Sequence, residues 1–164
     1  MEYRFCPYCG KGLETKEVEQ RMRAYCPRCA IVHYTQLKVG AAALVIESGE
    51  LLLLRRADAP FKGCWNLPAG YAETDESPGD AARREAREES GLDVQIDNLQ
   101  GVYYFSDDPR GNGILTVYSG RIIGGTLTET AEGLEPTFFS RQELPSDLAG
   151  AGHDQAILDW RGEI

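Results

Sequence analysis

No stretch of the 164-residue sequence approaches the ~18 consecutive apolar residues of a membrane-spanning helix, which excludes a helical membrane protein. The opening Met1-Glu2-Tyr3-Arg4 runs straight into a cysteine motif and lacks the apolar core of a secretory signal, so a cytoplasmic, reducing setting is expected. A low-complexity linker and an internal repeat are also missing. Basic charge is scarce: 17 Lys and Arg stand against 26 Asp and Glu, for a net charge of −9. The deficit lies beyond residue 36, where 11 basic residues face 22 acidic ones. Such a surface repels nucleic acid and anionic membranes at long range. It still admits a small anionic substrate, provided that divalent cations and a few arginines neutralise the site locally.

Cysteine is sparse, with five residues, but four of them are patterned. Cys6-Pro7-Tyr8-Cys9 and Cys26-Pro27-Arg28-Cys29 form two Cys-x-x-Cys knuckles separated by sixteen residues, the spacing of a four-thiolate zinc site. Zinc would give residues 1–36 a folding energy that their few apolar side chains cannot supply. Four cysteines leave no open coordination position, so a zinc ion here is structural. A redox dithiol or a disulfide pair is the alternative reading, and Cys64 stands apart as a core or loop thiol. The module resembles a zinc ribbon, a fold often used on nucleic acid. Arg21, Arg23 and Arg28 offer only a modest basic patch, however, which the charge of about −2 on a zinc tetrathiolate offsets.

Residues 37–164 read as a larger mixed α/β unit. Lys38 to Glu47 and Glu50 to Arg56, joined by Ser48-Gly49, predict a buried hairpin of two central strands, the second carrying four consecutive leucines. A Pro- and Gly-punctuated loop follows. Ser77-Pro78 then announces a helix, with serine to cap the free amides and proline preset for the first turn, and Gly91 is placed to end it. Residues 93–106 and 114–123 predict strands, as does Pro136 to Phe139, and His153 to Trp160 a terminal helix with Ala156, Ile157 and Trp160 on one side.

The helix carries the chemistry. At 100° per residue, Glu85, Glu88 and Glu89 fall within about a 100° arc. Three carboxylates so placed repel one another unless they pair with Arg83, Arg84 and Arg87 on a solvated face, or meet a cation. Magnesium prefers oxygen ligands and is commonly shared between carboxylates and substrate phosphates, where it lowers the pKa of a bound water. The longer context favours the cation. One arginine with glycines and glutamates at seven fixed positions would arise by chance in a chain this size with a probability on the order of 10⁻⁶.

Gly70, five residues, Glu76, seven residues, Arg84-Glu85-Ala86, Glu88-Glu89, Gly91-Leu92, with Trp65-Asn66-Leu67-Pro68-Ala69 leading in, resembles a complete Nudix box. The resemblance extends over about residues 38–162. It implies an α/β/α sandwich around a mixed sheet, with Glu85, Glu88, Glu89 and the Gly70 carbonyl as ligands of magnesium or manganese. Arg84 and Glu76 would brace the box, and Glu73, on the same loop, is a further ligand or an orienting residue on the substrate side. A zinc ribbon followed by such a domain is similar to the small ADP-ribose or FAD pyrophosphatases and to the NADH pyrophosphatases. The latter show Ser-Gln-Pro-Trp after the box where this chain has Tyr103-Tyr104-Phe105-Ser106-Asp107-Asp108-Pro109, so the small group fits better. The implied reaction is magnesium-dependent hydrolysis of a nucleoside diphosphate derivative, ADP-ribose or a dinucleotide such as FAD or NADH. It would yield a nucleoside monophosphate and a phosphorylated remainder. A homodimer is implied by the resemblance alone. The competing reading is a catalytically weak nucleotide sensor, or a nucleic-acid-binding regulator acting through the ribbon.

Outside the box the residues leave choices open. Arg55 and Arg56 end an apolar strand, where they either hold substrate phosphates or form a surface pair. Tyr103, Tyr104, Phe105 and Tyr118 are stacking surfaces for a base or core aromatics. Glu132 or Glu135 could supply a general base from an acidic loop.

Overall fold

The computed structural model describes residues 3–162. Two compact units are present, Met1–Leu37 and Lys38–Ile164. The first holds an antiparallel three-stranded sheet of β1 (Glu14–Val18), β2 (Arg21–Cys26) and β3 (Ile31–His33) in that order. Glu19 and Gln20 both take positive φ, 52° and 61°, in the two-residue turn between β1 and β2. That turn conformation usually selects Asn-Gly, so the sequence hides this hairpin.

The second unit is a mixed seven-stranded sheet between two helices. β4 (Lys38–Glu47) runs parallel to β9 (Gly113–Gly125), which pairs antiparallel with β8 (Leu92–Phe105). On the other side β5 (Glu50–Arg56) pairs with β10 (Gly133–Phe139), whose bulge at Glu135 and Pro136 lies on the sheet's edge strand. An edge bulge is where proline is tolerated, since its missing N–H breaks no central ladder. The expected β4–β5 hairpin is shorter than its sequence pattern implies, with pairing only at Ile46↔Leu51 and Glu47↔Glu50. The strands then diverge, and the short strands β7 (Ala69–Tyr71) and β6 (Trp65–Asn66) pair with β4 and β5 respectively. This splaying opens the sheet where the functional residues gather.

Strand alternation sorts the core onto the two faces. Leu51 and Leu53 pack with Ala42, Leu44, Phe105 and Leu115 beneath α2 (His153–Arg161), which contributes Ala156 and Ile157. Leu52 and Leu54 pack with Ala41, Ala43 and Val45 against α1 (Pro78–Ser90), which contributes Ala81, Ala82 and Ala86. The four consecutive leucines thus serve both faces, as central strands require. Alanine on α1 against alanine on β4 lets the helix lie close to the sheet. α1 begins at Ser77, whose hydroxyl accepts the Asp80 amide at 3.2 Å, with Pro78 in its first turn. It ends at Gly91, where φ is +75° and the amide donates to the Arg87 carbonyl at 2.9 Å.

Candidate functional site

The close packing of α1 places one row of its side chains at the opening of the splayed sheet. Glu85 and Glu89, one turn apart, are 8% and 7% exposed and line a cleft of about 320 Å³ with Gly70, Glu73, Arg84 and Arg56. Glu88 is not among the lining residues, and its side chain is 57% exposed. The glutamates are partly committed. Arg84 Nη1 donates to Glu85 Oε1 at 2.6 Å and to Glu88 Oε2 at 2.9 Å, while the Ala69 amide donates to Glu89 Oε2 at 2.9 Å. The rest of the Arg84 guanidinium grips Glu76, with Nη2 to Oε1 at 2.6 Å and Nε to Oε2 at 3.2 Å, and Nη2 also reaches the Tyr71 carbonyl at 3.2 Å. Glu76 Oε1 in turn accepts the Glu73 amide at 3.0 Å. One arginine therefore ties the loop before the helix to two of its carboxylates. Gly70 is needed beside them, because a Cβ there would overlap the Glu85 carboxylate.

These contacts set the charges. Hydrogen bonds from Arg84 hold the Glu76 carboxyl below its ordinary value, and Glu76 holds the Arg84 guanidinium above its own. Burial pushes the Glu85 carboxyl up, against the pull of Arg84. Burial pushes Glu89 up to about 8, partly opposed by the Ala69 amide and helped by the neighbouring charge of Glu85. Two buried carboxylates without enough positive charge favour any cation that enters.

In the N-terminal unit, the sulfurs of Cys6, Cys9, Cys26 and Cys29 lie within 4.8 Å of one another, with Cys9 and Cys26 at 3.6 Å. A tetrahedron of ~2.3 Å zinc–sulfur bonds has edges of about 3.8 Å, so the cluster fits zinc. Burial opposes ionisation of Cys26, but the Cys29 amide and the thiols of Cys9 and Cys6 outweigh it and bring the pKa down to about 7.

Comparison with known proteins accords with both units. The family model described as NUDIX domain matches residues 36–160, and that described as Nudix N-terminal, a zinc ribbon, matches residues 4–35. The chain belongs to the Nudix hydrolase family. A Methanocaldococcus jannaschii protein named ADP-ribose pyrophosphatase is 35% identical over 128 residues, 77% of this chain and 75% of that protein. The NAD-capped RNA hydrolase NudC of Stutzerimonas stutzeri is 32% identical over 148 residues, 88% of this chain but only 51% of its own length. The crystal structure of a NUDIX hydrolase from Nitrosomonas europaea superposes with a TM-score of 0.85 at 29% identity, covering 98% of this chain and 92% of that one.

The Nudix family implies a divalent cation, and the donor set here fits one. Glu85, Glu89 and Gly70 bring only hard oxygen donors to the cleft, and Glu89, buried and paired with no guanidinium among the described residues, is costly as an anion. Beyond the box, the structure separates residues that the sequence left equivalent. Arg56 lines the Nudix cleft, with Nε donating to the Pro60 carbonyl at 3.0 Å. Arg55 points elsewhere: it donates to Glu135 at 3.0 Å, Asp147 at 3.1 Å and the Gly63 carbonyl at 2.6 Å, and covers the Trp65 ring at 4.6 Å. Glu132 lines the cleft, whereas Glu135 is the partner of Arg55. Phe105 also lines it. Tyr103 donates to Asp159 at 2.7 Å, Tyr104 is exposed, and Tyr118 packs on the α1 side.

Other lining residues escape sequence reasoning. Tyr71, Asp108 and Arg110 form a cluster in which buried Asp108 takes a paired hydrogen bond from the Arg110 guanidinium and accepts from the Tyr71 hydroxyl at 3.3 Å. Lys38 and Arg110 cover the Tyr71 ring at 4.9 and 5.4 Å. Asp108-Pro109-Arg110 reads as an ordinary polar turn, and only the alternation of acid and base two residues apart hints at a built pair. Phe61 comes from a loop and His153 from the first position of α2, and neither belongs to a motif.

Proposed function

We propose that the chain hydrolyses the diphosphate linkage of a nucleoside diphosphate derivative, with ADP-ribose or a dinucleotide such as FAD or NADH as the substrate class. A nucleoside monophosphate and a phosphorylated remainder are the products. The observation that carries this reading is the single cleft in which buried Glu85 and Glu89 stand beside Arg56 and Arg84. Glu85, Glu88, Glu89 and the Gly70 carbonyl would hold magnesium or manganese, which when bound supplies Lewis-acid activation of a phosphoryl group and of the attacking water. Arg56, on the same cleft, binds the phosphates. Arg84 and Glu76 fix the ligand carboxylates before substrate arrives, which spares reorganisation in the reaction. Glu132, or Glu73 on the same cleft, takes the proton of the attacking water in this reading.

ADP-ribose stands first because the relative of that printed activity matches three quarters of its own length, whereas the chain spans about half of the NudC protein. The test is product analysis on ADP-ribose, FAD and NADH with magnesium in isotopically labelled water. Cleavage between the phosphates with label in one monophosphate product is expected. Turnover of none of the three would overturn the reading.

A further inference from the structure

His153 begins α2, lines the cleft and is 5% exposed. Its ring makes no hydrogen bond to any described residue. Nδ1 is sealed from solvent without a partner, while Nε2, likewise without a protein partner, keeps access to the cleft. Buried polar groups left unpaired cost stability, so those that persist call for an explanation. The segment that leads into α2 is tied down through its backbone. The Trp65 amide donates to the Asp147 carbonyl at 2.9 Å, the Ala149 amide donates back to the Trp65 carbonyl at 2.8 Å, and both Asp107 oxygens accept the Ala151 amide at 3.1 Å.

Burial first, and the charge of Arg56 second, push the imidazole pKa down to about 3, so the ring is neutral under physiological conditions. A neutral imidazole has one donor and one acceptor nitrogen. A sealed acceptor without a partner is tolerated better than a sealed N–H, which assigns the proton to Nε2, on the cleft side. Arg56, Glu89 and His153 line the same cleft. A diphosphate held at Arg56 and the glutamates would therefore present its neighbouring substituent to His153. Phe61, Phe105 and Leu115 give the same cleft an apolar part of its lining. A neutral donor in an apolar wall suits a neutral oxygen, whereas another phosphate would call for a guanidinium.

We propose that His153 is a specificity residue whose Nε2–H donates to a hydroxyl oxygen of the sugar esterified to the diphosphate. This rests on the diphosphatase reading of the same cleft, and it sharpens the substrate class to diphosphates bearing a hydroxylated sugar at that position. The experiment compares wild type, His153→Leu and His153→Gln on ADP-ribose and on monodeoxy analogues that each lack one ribose hydroxyl, with magnesium. The wild type should cleave one analogue with kcat/KM about tenfold or more below ADP-ribose. In His153→Leu that preference should collapse to near unity, with the loss on ADP-ribose appearing mainly in KM, and His153→Gln should restore part of it. Because the leucine variant removes an unpaired buried group, its melting temperature should equal or exceed that of wild type. If the preference among analogues is the same in wild type and His153→Leu, or if the variant loses activity equally on all of them while melting lower, the proposal falls and diphosphate cleavage stands. Absence of turnover by wild type on ADP-ribose, FAD and NADH would sink both.

Discussion

Glu89 concentrates the electrostatics of the cleft in one carboxyl. Burial raises its pKa from 4.5 to about 8, so the folded protein holds a proton there that the unfolded chain releases. Stability from this group is therefore undiminished below about pH 4.5 and declines as pH rises toward 8, where the full cost of a buried anion is reached. In magnesium-free buffer, the melting temperature of wild type should fall across that window more steeply than that of Glu89→Gln. Superimposable profiles would count against the buried-carboxylate account. A bound cation favours the ionised form, so the rise in melting temperature on adding magnesium should grow with pH in wild type and shrink in the variant. With substrate, Glu85→Gln and Glu89→Gln should each lower kcat by orders of magnitude while circular dichroism stays native, and near-normal rates would refute their assignment as ligands. Gly70→Ala tests the same geometry from the backbone. Its methyl overlaps the movable end of Glu85, so turnover should drop further than stability does.

At the level of elements, α1 separates holding the helix from holding the metal ligands. Ser77→Ala removes the cap on the Asp80 amide and should cost about 1 kcal/mol in chemical denaturation, with kcat changed less than a few-fold. Arg84→Lys keeps a charge but cannot serve Glu76, Glu85, Glu88 and the Tyr71 carbonyl together, so kcat should fall at least tenfold with little change in the denaturation midpoint. Equal effects of the two substitutions on kcat would mean that Arg84 only supports the helix. α1 is also the element most legible in the sequence, since Ser77, Pro78 and Gly91 act locally and need no tertiary partner. The β4–β5 pairing is less so, because periodicity reports which face a residue takes and not which strand lies beside it. β6 and β7 are too short for any pattern. Within the site, Glu85 and Glu89 follow from helical spacing, whereas choosing Arg56 over Arg55, and Glu132 over Glu135, depends on a bulge in β10 and on the 147–151 loop. His153 has no local signal at all. It follows a segment whose backbone pairs with Trp65, more than 80 residues away.

At the scale of the whole chain, the two units are stabilised in different ways. Residues 38–164 bury two apolar layers, one on each face of a seven-stranded sheet. Among the described residues of the first unit, only Cys6 and Cys26 are buried, at 2% and 0% exposure. Two cysteine side chains cannot offset the chain entropy of some 30 ordered residues at ~1–2 kcal/mol each, so this unit depends on what binds its thiolates. Zinc removal by a thiol-selective chelator, or Cys26→Ser, should therefore abolish amide protection in β1, β2 and β3 while the exchange pattern of β4, β5 and β9 stays native. Mass-resolved hydrogen exchange reads both units in one sample, and persistent protection of the first unit without zinc would overturn the metal-dependent account. Calorimetry should then show the transition of the Nudix unit nearly unchanged. A Nudix cleft built wholly from residues from Gly40 onward has no zinc ligand in its lining, so magnesium-dependent turnover should outlast loss of the ribbon's structure. If activity instead disappears together with protection of β1 to β3 while exchange across β4 to β10 is unaltered, the first unit contributes to catalysis directly.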